Sequence, residues 1–364
     1  MNSAKSTWTR FIDSKYSTPA ILITILIVLD SFVWWLNIPF IEDICTVATI
    51  TLIMVLGFQL FMGNSGILNW SYAGYIGIGA FASAIFSMTP EFKAKQIPVM
   101  YEFLVNLHLP FPLALIAGAL FAALVAAVIA WPLMRLTDSV GAITQFALLI
   151  VINTMLNQWQ EVTNGPRTFT VSMGRITDIW LALFVAVLVI LAVFWFKESS
   201  VGLKLRASRD DRYAARSSGI NIIAVRYYGY VTSAFIGGLA GGLFAHYIVS
   251  ITAMAFYMGE VFVLLTMTII GGSMSVSGAF FGTLLITVSQ QLLRQLESIV
   301  TRSGFEASGT TDIVLGLLMI GFLALLPNGV TRGKELSLSA IKRFLRIGNN
   351  RQKQSKGLDQ KPSN

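Results

Sequence analysis

SSVGLKLRASRDDRYAARSSGI, residues 199–220, is a charged island between two strongly apolar runs. Ser208 and Asp211 have the S-x-x-D spacing of a capping box, which predicts a helix starting at Ser208 and running over 208–219. Asp210 and Asp211 then lie in its first turn, Arg216 lies in its last, and Gly219 supplies the left-handed residue that closes it. Such a segment is too short and too polar to span a bilayer, which takes roughly 20 apolar residues. One reading is a solvated loop helix whose positive charge sets topology. The other, preferred here, is a docking element.

Composition supports a membrane setting for that island. The chain is 55% hydrophobic and only 12% charged, with a mean hydropathy of +0.70, whereas soluble domains carry roughly 25% charged residues. The expected fold is all-α and polytopic, with spans near 18–36, 44–62, 70–88, 111–134, 139–157, 177–196, 227–248, 259–271, 279–295 and 311–326. The 259–271 segment is short for a full crossing and is expected to be re-entrant or broken.

Of the 26 Lys and Arg residues, 20 fall on segments that share one side if the N-terminus starts inside. These include Lys5, Arg10 and Lys15, the run from Lys197 to Arg226, and the run from Arg332 to Lys361. Both termini are therefore expected in the cytoplasm. The net charge of +8 follows from this asymmetry and from attraction to anionic lipid, with no need for nucleic-acid binding. The first apolar run lacks a small-residue cleavage site and reads as an uncleaved helix. The organisation expected is a cytoplasmic N-terminus over 1–17, a transmembrane domain over 18–328 and a basic cytoplasmic tail over 329–364. The tail, with an amphipathic stretch from Leu336 to Ile347, is expected to be dispensable for the fold.

A single Cys45 excludes an internal disulfide and a cysteine metal cluster. Phosphate-loop and zinc-protease motifs are missing from the sequence. No active site, metal or cofactor is therefore expected in this chain, and if it pumps a solute, the energy comes from another chain.

Two stretches are rich in Gly and Ser at membrane depth: GNSGILNWSYAGYIGIGAF (63–81) and GGSMSVSGAFFG (271–282). Non-helical backbone there must be buried in protein or line a cavity. Asn64, Ser65, Gly66, Asn69, Ser71, Gly271, Gly272 and Ser275 are thus candidates for a translocation pathway, with close helix packing as the alternative. For Gly237 with Gly241 and Gly238 with Gly242, the small-x-x-x-small spacing favours packing. Thr163, Asn164, Gly165 and Arg167, in an outer loop, are candidates for contact with an external partner or simply a turn. Asp30 and Glu260 are intramembrane acids, His246 is expected to be interfacial, and Trp35, Trp70, Trp131, Trp159, Trp180 and Trp195 are expected to form an aromatic belt.

The island and the glycine runs together resemble the longer-N-terminus permease subunit of branched-chain amino acid ABC importers. That family's pattern is S-P-F-G-R-x-L-x-A-[IV]-R-E-x-E-x-A-A-x-x-x-G-I. Ser199, Gly202, Leu205, Ala207, Arg209, Ala214, Ala215, Gly219 and Ile220 match it in register, with Asp210 where an acid is expected. Gly63, Gly66, Leu68, Ala73, Gly77, Ile78, Gly79 and Ala80 match an upstream run. Gly271, Gly272, Ser275, Gly278 and Gly282 match a downstream one. Ser208 departs from an aliphatic position, and Asn69, Ser71 and Tyr72 depart in the upstream run. The resemblance implies that Ser208, Arg209, Asp210, Asp211, Arg212, Ala214, Ala215, Arg216 and Gly219 form the helix that couples to ATPases. It further implies a second homologous permease, two cytoplasmic ATPases using ATP and Mg, a periplasmic solute-binding protein, and a multi-pass location in the bacterial inner membrane. The cargo expected is a branched-chain amino acid or similar small polar solute. Urea, amides, a sugar or a nucleoside are alternatives on the same architecture, and an ion-coupled secondary transporter is a rival class.

Overall fold

The computed structural model describes residues 17–171, 174–302, 309–325, 329–331, 333 and 335. The expectations for residues 1–16 and for the stretch from Leu336 onward lie outside these residues. The main helices are α1 (Ser17–Leu36), α2 (Pro39–Ser65), α3 (Tyr72–Ser87), α4 (Phe111–Leu133), α5 (Asp138–Gln158), α6 (Ile179–Glu198), α7 (Ser200–Asp210), α8 (Arg212–Ser217), α9 (Ile222–Ile248), α10 (Met258–Gly271), α11 (Val276–Arg302) and α12 (Thr310–Leu325). A helix stands on each of the ten expected apolar segments. Among the described residues seven, namely α1, α2, α4, α5, α6, α9 and α11, are long and apolar enough to cross a membrane. The chain is an all-α multi-pass membrane protein.

Helix boundaries follow local chemistry. Pro39 opens α2 where its missing N–H costs nothing, and Gly66, with φ +75°, closes it by donating to Met62 O at 2.9 Å. Asn221 caps α9 by accepting from the Ala224 N–H. With 16 and 14 residues, α3 and α10 are about 24 Å and 21 Å long, short of a roughly 30 Å hydrocarbon core.

The route into α10 shows why it is short. After α9 ends at Ile248, Ser250–Ile251 pairs antiparallel with Phe169–Thr170, with Phe169 opposite Ile251. The chain then dips back as a single 3-10 turn, Ala253–Phe256. Asn153 of α5 donates to Ala253 O at 2.8 Å, and the Phe256 ring packs edge-on to Phe81 and Phe244. Helix α10 therefore begins inside the bundle, where Val261 packs with Ala73 and Leu149.

The core is built around α9, which packs on α2, α3 and α4. A methyl group added to Gly79 would stand 2.2 Å from Gly238 Cα, and one on Gly241 would stand 2.1 Å from Ile76 O. The small-residue spacing in α9 is thus used for packing, and it lets α3 and α9 approach to backbone contact.

Two expectations need correction. His246 is fully buried, not interfacial: its Nδ1 lies 2.7 Å from Gly242 O, its Nε2 lies 2.7 Å from Ser87 Oγ, and its ring packs on Phe111. Trp70 is half-buried and packs edge-on to Phe146 and Phe262. It belongs to the interior, while Trp35, Trp131, Trp159, Trp180 and Trp195 are exposed at helix ends. The α3–α9 contact leads to a direct expectation. Gly79→Val overpacks backbone against backbone and should cost about 3 kcal/mol or more, which size-exclusion chromatography of the detergent-solubilised protein would register as loss of the monodisperse peak.

Candidate functional site

The charged island is not the single helix over 208–219 expected from the capping-box spacing. Ser199 caps α7, accepting from the Gly202 N–H at 3.2 Å. Helix α7 ends at Asp210, and a second helix, α8, starts at Arg212. Ser208 caps nothing: it is buried and its hydroxyl donates to Leu205 O at 2.7 Å. The cap is Asp211, in extended backbone, accepting from Tyr213 N at 2.8 Å and Ala214 N at 3.0 Å. A carboxylate placed one residue before a helix satisfies orphan donors and meets the positive end of the helix dipole, which makes Asp211 a better cap than Ser208. Asp210 falls at the end of α7, so it is not in the first turn of α8. Arg216 does lie in the last turn.

Closure at Gly219 is as expected. Its φ is +77°, its N–H donates to Arg216 O, and the Ile220 N–H reaches back to Ala215 O. These are the two bonds of a Schellman motif. Ala215 is buried against the protein, while Asp210, Asp211, Ala214 and Arg216 are exposed and Arg212 is half-buried. Tyr213, at 84% exposed, completes the outer surface of α8. Sequence reasoning passed over it, and the only signal for it was a large aromatic residue inside a polar island.

Arg209 points the other way. Its guanidinium donates to Gly63 O, and its aliphatic stem crosses Gly66, where an added methyl would meet Cγ at 3.0 Å. Arg209 therefore ties the island to the end of α2. Gly63 in turn backs onto Ser273: a methyl there would stand 2.3 Å from Ser273 O, and Gln59 Nε2 donates to that same carbonyl at 3.1 Å. The fold thus brings the island and the two glycine-rich breaks, 63–71 and 271–275, to one place.

The eight pathway candidates lie within or beside this junction, and all but Gly66 are buried. Asn64 donates back to Leu60 O, and Ser65 Oγ accepts from the Ile67 N–H. Ser275 caps α11 by accepting from the Gly278 N–H at 3.0 Å. Gly272 has φ +115°, and a methyl on Gly271 would meet Gly278 O at 1.9 Å. Asn69 and Ser71 enter a hydroxyl chain. Ser71 donates to Asn69 Oδ1 at 3.0 Å, Ser71 Oγ lies 2.6 Å from Tyr230 Oη, and Tyr75 Oη lies 3.0 Å from Tyr230. One proton per hydroxyl orders the donors from Tyr75 to Tyr230 to Ser71 to Asn69. The Asn69 amide nitrogen at the end of this chain is fully buried and has no hydrogen-bond partner, an expensive condition for a donor shielded from water.

The outer-loop candidates divide. Thr163 is buried, its hydroxyl donating to Leu156 O and Trp159 O. Asn164 and Gly165 carry φ +64° and +66° and turn the chain. Only Arg167 of the four is exposed.

A family profile described as "Branched-chain amino acid transport system / permease component" matches residues 40–323. The chain belongs to this family of permease components. Among its relatives is the high-affinity branched-chain amino acid transport system permease protein LivM of Escherichia coli K12, 24% identical over 79% of this chain and 69% of that protein. The guanosine ABC transporter permease protein NupQ of Bacillus subtilis 168 is 27% identical over 58% of this chain and 69% of its own length. A nucleoside ABC transporter permease protein, NupC of Lactococcus lactis, is 28% identical over 58% and 69%. No solved structure matches.

In this permease component the matched region covers the island and both glycine breaks, from Gly63 to Ser275. Asp30 is buried in α1, with Cys45 and Thr49 within 3.3 Å of its carboxylate. Two substitutions probe the site. Gly219→Val forces a β-branched residue into the left-handed region, with no neighbour within 4 Å to clash, so its cost of about 1–2 kcal/mol is conformational; transport by the assembled protein is expected to fall several-fold at unchanged expression. Asn69→Leu removes the acceptor of Ser71 along with the orphan amide. Assembly is expected to persist while transport kinetics change, as uptake assays against a blot of membrane-inserted protein would record.

Proposed function

We propose that this permease component imports branched-chain amino acids as one half of an ATP-driven transporter in a bacterial inner membrane, with both of its termini in the cytoplasm. The observation that carries the reading is the α7–α8 element, capped at Ser199, Asp211 and Gly219 and tied through Arg209 to the glycine break at the end of α2. A capped helix pair resists bending, so a push on the exposed face of α8 is delivered to the break. Asp210, Asp211, Arg212 and Arg216 offer charge, and Tyr213 offers a rigid aromatic anchor, to an ATPase surface. This chain supplies no catalysis. Two ATPases using ATP and Mg, a second homologous permease to complete the pathway, and a solute-binding protein meeting the outer loops near Arg167 complete the assembly.

The breaks at 63–71 and 271–275 are the hinge through which access changes, with Asn69 and Ser71 the polar groups nearest the cargo. A second reading keeps the architecture and changes the cargo to a nucleoside. It is suggested by the guanosine and nucleoside permeases among the relatives, which match 58% of this chain at 27% and 28% identity, whereas LivM of Escherichia coli matches 79% of it at 24%. Urea or short amides would be handled by the same junction. An ion-coupled carrier is disfavoured because charged side chains are sparse within the apolar spans, with the buried Asp30 of α1 an exception.

Co-purification of the tagged chain, followed by reconstitution with its partners, tests the proposal. The expected outcome is recovery of two ATPases and a second permease, with ATP-dependent uptake of leucine. Uptake of guanosine but not leucine would move the cargo to nucleosides. Uptake without ATPases would overturn the importer reading. Within the same assay, Asp211→Ala removes the α8 cap, worth about 1 kcal/mol, and should weaken ATPase recovery without reducing the amount of permease.

A further inference from the structure

The described part of the basic tail does not hang free of the bundle. Val330 N donates to Ile270 O at 2.8 Å and Thr331 N to Gly271 O at 3.2 Å. The Thr331 hydroxyl lies 2.8 Å from Gly271 O and 2.7 Å from Ser275 Oγ. Gly329, at φ +70°, lies so close to Gly272 that an added methyl would stand 2.7 Å from its Cα and N. Residues 329–331 of the tail are thus laid across the break between α10 and α11.

Glu335 completes the contact. Its carboxylate accepts from Val276 N at 2.9 Å, Ser277 N at 3.1 Å and Ser277 Oγ at 2.8 Å, which satisfies donors at the start of α11 that the helix itself cannot. The same carboxylate is ion-paired with Lys197. Lys197 is buried, and its ammonium also donates to Met274 O at 2.9 Å. Burial alone would raise the pKa of Glu335, but the Lys197 charge and the two backbone donors outweigh it and hold the carboxyl below its ordinary value. Lys197 stands two residues before Ser199, the α7 cap, and its carbonyl accepts from Arg206 of α7 at 2.8 Å.

We propose that Lys197 and Glu335 are positioning residues for energy coupling: they form a latch that carries movement of the α7–α8 element to the N-terminus of α11. The inference rests on the importer reading above. Arg209 links the island to the end of α2, and the Lys197–Glu335 pair, at the end of α6 where Arg206 of α7 bonds the Lys197 carbonyl, links it to the start of α11. A push on α8 then moves both glycine breaks together. A charged pair serves this purpose because it is directional and, once buried, costly to separate.

The test uses the complete reconstituted transporter with Glu335→Gln, Lys197→Met and the double variant, reading solute taken up per ATP hydrolysed alongside the yield of assembled complex. Each single variant is expected to hydrolyse ATP while the uptake ratio falls at least about fivefold, within the range of site-to-site coupling. The double variant is expected to be no worse than the poorer single one, since both remove the same contact. A chain ending at Ser337, which keeps Glu335, is expected to retain the wild-type ratio. An unchanged ratio in the assembled complex of both single variants would overturn the latch, and if yield alone fell, the pair would be a structural staple. A purely additive double variant would overturn the proposal that the two residues act through each other. Wild-type complex that shows no ATP-dependent uptake would instead sink the importer reading.

Discussion

Backbone that leaves a helix inside a membrane finds no water, and each of its amides and carbonyls must be met by protein. The junction where the ends of α2, α10 and α11 meet is where this chain answers that constraint. The Gly66 amide turns back to Met62 O, Gly63 O takes Arg209, and Ser273 O takes Gln59. Gly271 O takes Thr331, Met274 O takes Lys197, and the free donors of α11 are taken by Ser275 and Glu335. Partners recruited from five separate parts of the sequence make the breaks tolerable. The same partners connect the breaks to one another and to the charged island.

Glycine serves a different purpose on the other side of the junction. Where α3 meets α9, Gly79 and Gly241 exist to admit backbone, and the gain is dispersion over a long, close contact. At Gly66, Gly219, Gly272 and Gly329 the backbone angle itself is required. The two uses look alike in the sequence, and the φ angles and the approach distances separate them.

The island shows how local spacing can mislead by one turn. Ser208 and Asp211 have the spacing of a capping box, yet Ser199 already caps a helix that continues through Ser208. In that helix Ser208 is on the buried face, and its hydroxyl bonds back to Leu205. Tertiary burial outweighs a cap worth about 1 kcal/mol, and Asp211, free at the surface, takes the capping role. The closure at Gly219 was legible because it depends only on local backbone. His246 and Trp70 were misplaced for the opposite reason: their depth in the bundle is set by helices distant in sequence.

Apolar run length and the positions of Gly, Pro and charge by themselves determined the ten helices, the polar island and the two glycine-rich breaks, because helix formation in lipid depends on local hydropathy and on the missing groups of Gly and Pro. The short, inward-starting α10 could be anticipated from its length alone. Only the tertiary structure decided that the island, both breaks and the first residues of the tail converge on one junction. Arg209 to Gly63, Gln59 to Ser273 and Glu335 to Lys197 join residues 138 to 214 positions apart, and no local pattern encodes which polar group will be near enough to satisfy an amide that lipid cannot.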